Sequence, residues 1–336
     1  MAPRPPAVVE AAVVRALLAL PERVQRRLGG SPIEIDGQRL ASDAQMLLKL
    51  RGLSPNPPYD TLPVPDARAA LEGDAASVRG SLMDVAEVRP VEVAGMAARL
   101  YVPGAERGGL LVFFHGGGGV LGSLDSHEQP SRFLAREGAV RVLSIDYRLA
   151  PESKFPAGVD DAMTAFAWAR EHAVELGADP ERIAVGGDSA GGNLGAVVAQ
   201  LAEPRPALAL LIYPVCDYSK KRRSYELFGE GYLLTERNMD WYRAHYLPDE
   251  DAARDPRASP LLADDLSGMP RTHLAIAGFD PLRDEGLTYG RRLEEAGVDV
   301  DLALHEGLLH GFANMTGVSR TSAAAMRRAA EMLKTL

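Results

Sequence analysis

Between residues 110 and 304 the chain alternates short, predominantly apolar runs with longer helical patterns, and few folds accept that arrangement. The runs occupy residues 110–114, 140–145, 183–185, 207–213, 273–277 and 300–304. A strand with one wet face alternates in polarity, so runs without alternation read as strands covered on both faces. Helical spacing recurs at residues 131–136, 159–172, 190–201, 284–296 and 322–333. This alternation predicts an α/β fold: a mostly parallel central sheet, right-handed crossovers and flanking helices. With 336 residues, 46% of them hydrophobic, the chain can bury such a core without disulfides or metal.

The flanks read differently. Apolar side chains at Val9, Val13, Ala16, Leu17, Leu20, Val24 and Leu28 recur close to every 3.6 residues and stop at Gly29-Gly30, predicting one amphipathic helix over 7–28. A short helix is expected at 41–50, and the proline-rich passage 54–65 reads as an irregular connection. Val91, Val93, Ala98 and Leu100, around Ala94-Gly95, predict an antiparallel strand pair. Residues 216–270, charged, aromatic and proline-bearing, break the alternation and read as an insertion over the sheet edge. The expected organisation is an accessory helical segment at 1–58 and a main domain at 59–336 that contains this insertion.

Composition excludes several function classes. Lys and Arg number 37 against 46 Asp and Glu, a net charge of −9 with no long basic block, which argues against a nucleic-acid partner. The single cysteine, Cys216, allows no intrachain disulfide and no cysteine zinc cluster, the usage of a reducing compartment, so cytoplasm is the expected location. The greasiest stretch, residues 7–20, is broken by Glu10 and Arg15, so neither a transmembrane segment nor a cleavable signal is expected.

The strongest local signal is Gly187-Asp188-Ser189-Ala190-Gly191, set between an apolar strand and a helix. G-x-S-x-G in that context places a serine on a tight strand-to-helix turn, lifts its hydroxyl above the sheet's carboxyl edge and aims a helix N-terminus at it. Glycines on either side avoid the clash a Cβ would make. Asp188, next to the serine, is expected to face away from the hydroxyl and to serve the structure.

His115-Gly116-Gly117-Gly118-Gly119 follows the first buried run directly. Main-chain amides of Gly117 and Gly118, with that of Ala190, are placed to bind a tetrahedral intermediate's oxygen. A rival reading exists: Gly117, Gly119 and Gly122 also fit the dinucleotide spacing G-x-G-x-x-G, with Asp146 where a ribose-binding acid would sit. That fingerprint needs a helix opening within the glycines, whereas 123–130 reads as loop. His115 is expected to orient the loop rather than to exchange protons.

A serine hydroxyl needs an imidazole to take its proton and a carboxylate to orient that imidazole, in the chain order serine, acid, histidine for this kind of fold. Of the later histidines, His245 falls in the insertion, His273 starts a strand at the wrong sheet edge, and His305 ends one as a packing residue. His310, between Gly307 and Gly311 in a loop, is the expected base. Asp280, just past the 273–277 run, is the expected acid, and Asp284 is better explained as a helix N-cap.

These residues closely resemble the bacterial hormone-sensitive-lipase-like family of α/β-hydrolase carboxylesterases. The likeness spans residues 110–312: His115 to Gly118, Asp146-Tyr147-Arg148-Leu149-Ala150-Pro151-Glu152, Gly187 to Gly192, Asp280-Pro281-Leu282-Arg283-Asp284, and His310-Gly311-Phe312. It implies a serine esterase acting without a cofactor on short- to medium-chain small-molecule esters, as monomer or homodimer, beneath a cap to which 1–58 and 216–270 correspond. One departure is Gly119, where the family often carries an aromatic residue. A lactonase, amidase or acyltransferase would use the same residues, and a ligand receptor could retain the fold without the chemistry. Cys216 is expected to pack, Tyr232, Trp241, Tyr242 and Tyr246 to line the pocket or pack the insertion, Met46, Leu47 and Leu50 to pack, and Lys220 to Arg223 to be solvated.

Overall fold

The computed structural model describes residues 7–53, 56–105 and 107–336. Its N-terminal part comprises α1 (Ala7–Leu18), α2 (Glu22–Gly29), a tiny hairpin of β1 (Glu34–Ile35) and β2 (Gln38–Arg39), α3 (Ser42–Leu53) and α4 (Val64–Val78). The expected single helix over 7–28 is therefore two. Pro21 flanks the start of α2, where its ring and missing amide prevent α1 from continuing. The break also changes which face is covered: Val24 and Leu28 are 38% and 44% exposed, whereas Leu18 and Gln25 are 1% and 2% exposed. Gln25 Nε2 donates to Leu18 O at 2.6 Å, so a polar residue closes the joint between the helices. The side chain of Val9 lies outside the described residues.

The connection expected at 54–65 holds a 3-10 turn, Tyr59–Thr61, and the first residues of α4, whose Pro65 sits in the first turn where proline is tolerated. Residues 54 and 55 lie outside the described part. Helix α4 was not anticipated, because prolines at 63 and 65 mask its start.

The rest runs β3 (Glu87–Val93), β4 (Met96–Val102), β5 (Leu110–Phe114), α5 (Glu128–Gly138), β6 (Arg141–Ile145), α6 (Ala157–Glu171), β7 (Ile183–Asp188), α7 (Ala190–Leu201), β8 (Leu208–Ile212), α8 (Arg223–Phe228), α9 (Glu236–Tyr246), β9 (Thr272–Phe279), α10 (Arg283–Glu295), β10 (Val300–Leu309) and α11 (Arg320–Leu333). One eight-stranded sheet has the order β10-β9-β8-β7-β5-β6-β4-β3. The expected hairpin β3–β4 is antiparallel, β4 runs antiparallel to β6, and the remaining pairs are parallel.

Alternate residues of β5 enter different cores, which is why its sequence shows no alternation. Leu110, Val112 and Phe114 face the core of α6, α7 and α10, while Leu111 and Phe113 face that of α5 and α11. Strand β10 departs from the expectation of burial on both faces. It is the sheet's edge: Val300 to Leu302 are half-buried, Ala303 is buried, and residues 304–307 alternate between exposed and half-buried before the strand closes at Leu308 and Leu309.

The chain leaves β5 for β6 on one side and later returns to β7 on the other. That reversal opens a crevice beyond the carboxyl ends of β5 and β7, where ligands bind in open α/β sheets. Among the described residues no helix is long and apolar enough to cross a membrane.

Candidate active site

Strand β7 and helix α7 meet at Ser189, whose φ of 55° and ψ of −118° are costly for a residue with a side chain. The turn holds because its neighbours leave no alternative: a Cβ on Gly187 or Gly191 would run into the Phe114 carbonyl. Asn193 Nδ2 donates to Val215 O at 2.8 Å and Ala258 O at 2.7 Å, and Val215 N donates to Ser189 O at 3.2 Å. The serine is 8% exposed and lines a cavity.

His310 follows β10, and Asp280 follows β9, at the same sheet edge as Ser189. His310 Nε2 lies 3.0 Å from Ser189 Oγ, and His310 Nδ1 lies 2.7 Å from Asp280 Oδ2. With Nδ1–H donating to the carboxylate, Nε2 is left as the acceptor for the serine proton. Asp280 is almost fully buried and held from behind by the Leu282 amide on Oδ1 at 2.8 Å. Residues 121 and 30 positions apart are thus in hydrogen-bond contact.

The glycine loop curls so that Gly117 O accepts from Val120 N at 3.1 Å and Leu121 N at 2.9 Å. Gly117 and Gly118 border the same cavity as Ser189. Among the described residues, the amides of Gly117, Gly118 and Ala190 donate to no protein acceptor. The helix after this loop starts only at Glu128, so the glycines lack the helix opening that a dinucleotide site requires. Gly119 has a φ of 70°, and a Cβ there would meet the Tyr246 ring at 2.7 Å. Tyr246 therefore occupies the space an aromatic side chain at 119 would need.

Asp188 turns away from the serine hydroxyl. Its Oδ1 accepts from Gly116 N at 2.9 Å and lies 3.3 Å from His127 Nε2, and its Oδ2 accepts from Tyr213 OH at 3.3 Å. It joins the nucleophile turn to the glycine loop. His115 is fully buried, with Nδ1 2.8 Å from Gly116 O and its ring stacked 4.5 Å from Tyr147.

The rejected candidates have other partners. His273 Nδ1 is 2.7 Å from Asp301 Oδ2, His305 packs edge-on against Phe312, and His245 Nδ1 meets Trp241 O at 2.9 Å. Asp284 corrects one expectation: it lies inside α10, where Leu282 is the N-cap, and accepts from Ser224 N at 2.9 Å and Arg283 Nε at 2.8 Å. Cys216 is buried, and burial, followed by nearby Glu285 and Asp217, pushes its thiol well above its usual value. Arg222 is not simply solvated, since it lies 3.2 Å from the buried carboxylate of Asp217.

The cavity encloses about 220 Å³. Leu47, Leu50, Leu71, Met239, Tyr242 and Met315 supply apolar wall around Ser189 and His310. Of the four insertion aromatics, Tyr242 lines it. Tyr232 packs instead on Phe228 and Phe279. Leu47 and Leu50 line the cavity as well as packing.

Sequence reading missed Tyr213, whose ring sits 4.6 Å from His310 and whose hydroxyl also accepts from Ala313 N at 3.2 Å. It missed His127, which lines the cavity beside Asp188, and the contribution of α4. No local motif marks these residues. Tyr213 at the carboxyl end of β8 was the one readable hint.

A serine turn at the sheet's switch point, with a histidine and an aspartate arriving from later strands, defines an α/β-hydrolase arrangement. The chain belongs to the alpha/beta hydrolase fold family, whose model matches residues 111–314. Carboxylic ester hydrolase LipN of Mycobacterium tuberculosis is 45% identical over 331 residues, covering 93% of this chain and 87% of the relative. Ethyl acetate hydrolase of Pseudomonas putida is 38% identical over 78% of this chain and 86% of its own. Among solved structures, an ester-hydrolase from the metagenome of Lake Arreo, complexed with a bipyridine phosphonate derivative, superposes with a TM-score of 0.85 at 39% identity, covering 88% of this chain and 98% of that one.

Proposed function

We propose that the protein is a serine carboxylesterase that hydrolyses short- to medium-chain carboxylic esters through an acyl-enzyme. The observation that carries this reading is the unbroken contact from Asp280 through His310 to Ser189, opening on an apolar cavity. Ser189 Oγ attacks the ester carbonyl while His310 Nε2 takes its proton, and Asp280 stabilises the imidazolium. Amides of Gly117, Gly118 and Ala190 receive the oxyanion. On collapse the C–O bond to the alcohol breaks, and His310 returns the proton to the departing alkoxide. Water then attacks the acyl-serine with His310 again as base, releasing the acid and restoring the serine.

The reading includes a cap built from residues 1–58 and 216–270 over a main domain at 59–336, with α4 extending the N-terminal layer. Asp36 supports it, since its Oδ1 lies 3.0 Å from Arg223 Nη1 and so ties the two cap pieces together. It also includes a cytoplasmic setting and a monomeric or homodimeric state, the latter supported by β10 standing at the sheet edge.

The test is Ser189→Ala assayed with p-nitrophenyl butyrate. The expected outcome is a folded protein with turnover reduced by about 10⁴-fold or more, and turnover near the parent rate overturns the assignment.

A further inference from the structure

Helix α4 touches both the cavity and the loop that carries Gly117 and Gly118. Leu71, Ala75 and Val78, at helical spacing, form part of the cavity wall. Arg68 and Glu72, one turn apart, reach the glycine loop instead. Arg68 Nε donates to Val120 O at 2.9 Å and Nη2 to Ala150 O at 3.0 Å, while Nη1 and Nη2 hold the Glu152 carboxylate at 2.9 and 2.7 Å. The Ala150 amide in turn donates to Gly119 O at 2.8 Å. The guanidinium therefore bridges the two backbone segments that meet at Gly119. Beyond the glycines, Ser123 Oγ donates to Glu72 Oε1 at 2.6 Å, a second grip from the same helix.

Gly118 and Gly119, with φ of 67° and 70°, form a stretch of backbone with no side chains to anchor it. Amides that bind an oxyanion must nevertheless be held in place before the reaction starts. We propose that Arg68 is a positioning residue for the oxyanion-binding amides, acting through Val120 and Ala150, so that α4 links the wall of the cavity to the catalytic loop. The inference rests on the assignment of Ser189 as nucleophile and Gly117 and Gly118 as donors. The guanidinium's fixed fork is what satisfies two carbonyls and a carboxylate together, a set that one ammonium cannot reproduce.

Arg68→Ala and Arg68→Lys are tested by steady-state kinetics on p-nitrophenyl butyrate and by the rate at which a fluorophosphonate labels Ser189, whose phosphoryl oxygen needs the same amides. A misplacement of about 1 Å can cost on the order of 100-fold, so kcat of the alanine variant should fall by about that factor with KM changed less than about threefold. Labelling should slow in parallel, Arg68→Lys should recover little, and millimolar guanidinium should restore much of the loss in Arg68→Ala, which a merely structural role would not allow. Should the alanine variant not fold, Arg68→Met, which keeps the apolar stem, is read the same way. A folded variant with kcat within about threefold of the parent overturns the inference, as does a loss that guanidinium leaves untouched. Failure of the parent protein to label at Ser189 removes the nucleophile assignment itself and is distinguishable from both.

Discussion

Around Ser189, two groups displaced in their acid–base behaviour lie outside the proposed proton-transfer path. Burial, helped by the field of His127, lowers His115 to about 3, so it is neutral near pH 7. Burial opposes the charge on Asp188, yet His127 and the Gly116 amide outweigh it and hold the carboxyl below its usual value. Both shifts give stability the same pH dependence. A histidine whose folded pKa lies below the unfolded value of about 6.5 binds its proton better unfolded, so its contribution is complete above pH 6.5 and is lost as pH falls toward 3. A depressed carboxylate likewise loses its contribution as pH falls through its titration range. For His115 alone the loss at pH 5 is on the order of 2 kcal/mol. His115 thus pushes the melting temperature down between pH 7 and pH 5, as do buried His273 and half-buried His305, the latter lowered by burial to about 4, while Glu285, held well above its usual value by burial, acts in the opposite sense; His115→Asn should make the slope over that interval less destabilising toward acid than in the parent. An unchanged slope in the variant contradicts the account. Ser189, Asp280 and His310 were legible in the sequence because each sits in a short motif after a recognisable strand. Tyr213 and Arg68 were not, since what they touch is supplied by residues 25 to 100 positions away.

For the elements, the apolar runs located the strands well wherever both faces are covered, and missed where packing overrides pattern. Helix α2 shows this: spacing nominated Val24 and Leu28 as inward, but beyond the break at Pro21 it is Gln25 of α2 that meets the interior, beside Leu18 at the end of α1. Leu18→Ala should then cost about 2 to 4 kcal/mol, while Leu28→Lys should change stability by less than about 0.5 kcal/mol. Urea denaturation distinguishes them, and equal losses would restore the continuous-helix reading. Strand β10 carries an apolar run for its first residues, yet it is the last strand of the sheet, a position no property of the run itself reveals.

At the scale of the whole molecule, the cavity is assembled from α1, α3, α4, the insertion and the sheet edge, pieces spread from Val14 to Met315. Its volume of about 220 Å³ corresponds to roughly seven water-sized heavy atoms at about 30 Å³ each. Among p-nitrophenyl esters, kcat/KM should therefore peak near four to six acyl carbons and fall at least about tenfold by twelve, because longer chains must displace the cap or leave methylenes in water at about 0.8 kcal/mol apiece. A flat series to long chains would mean that the cap opens freely. Sequence alone determined the parallel sheet, the elbow and which serine, histidine and aspartate meet there, since these depend on local periodicity and on glycine where backbones crowd. Only the tertiary structure decided which helix grips the glycine loop, how α2 turns and how large the cavity is. Those follow from contacts between residues far apart along the chain, and such contacts leave no periodic trace in either partner's neighbourhood.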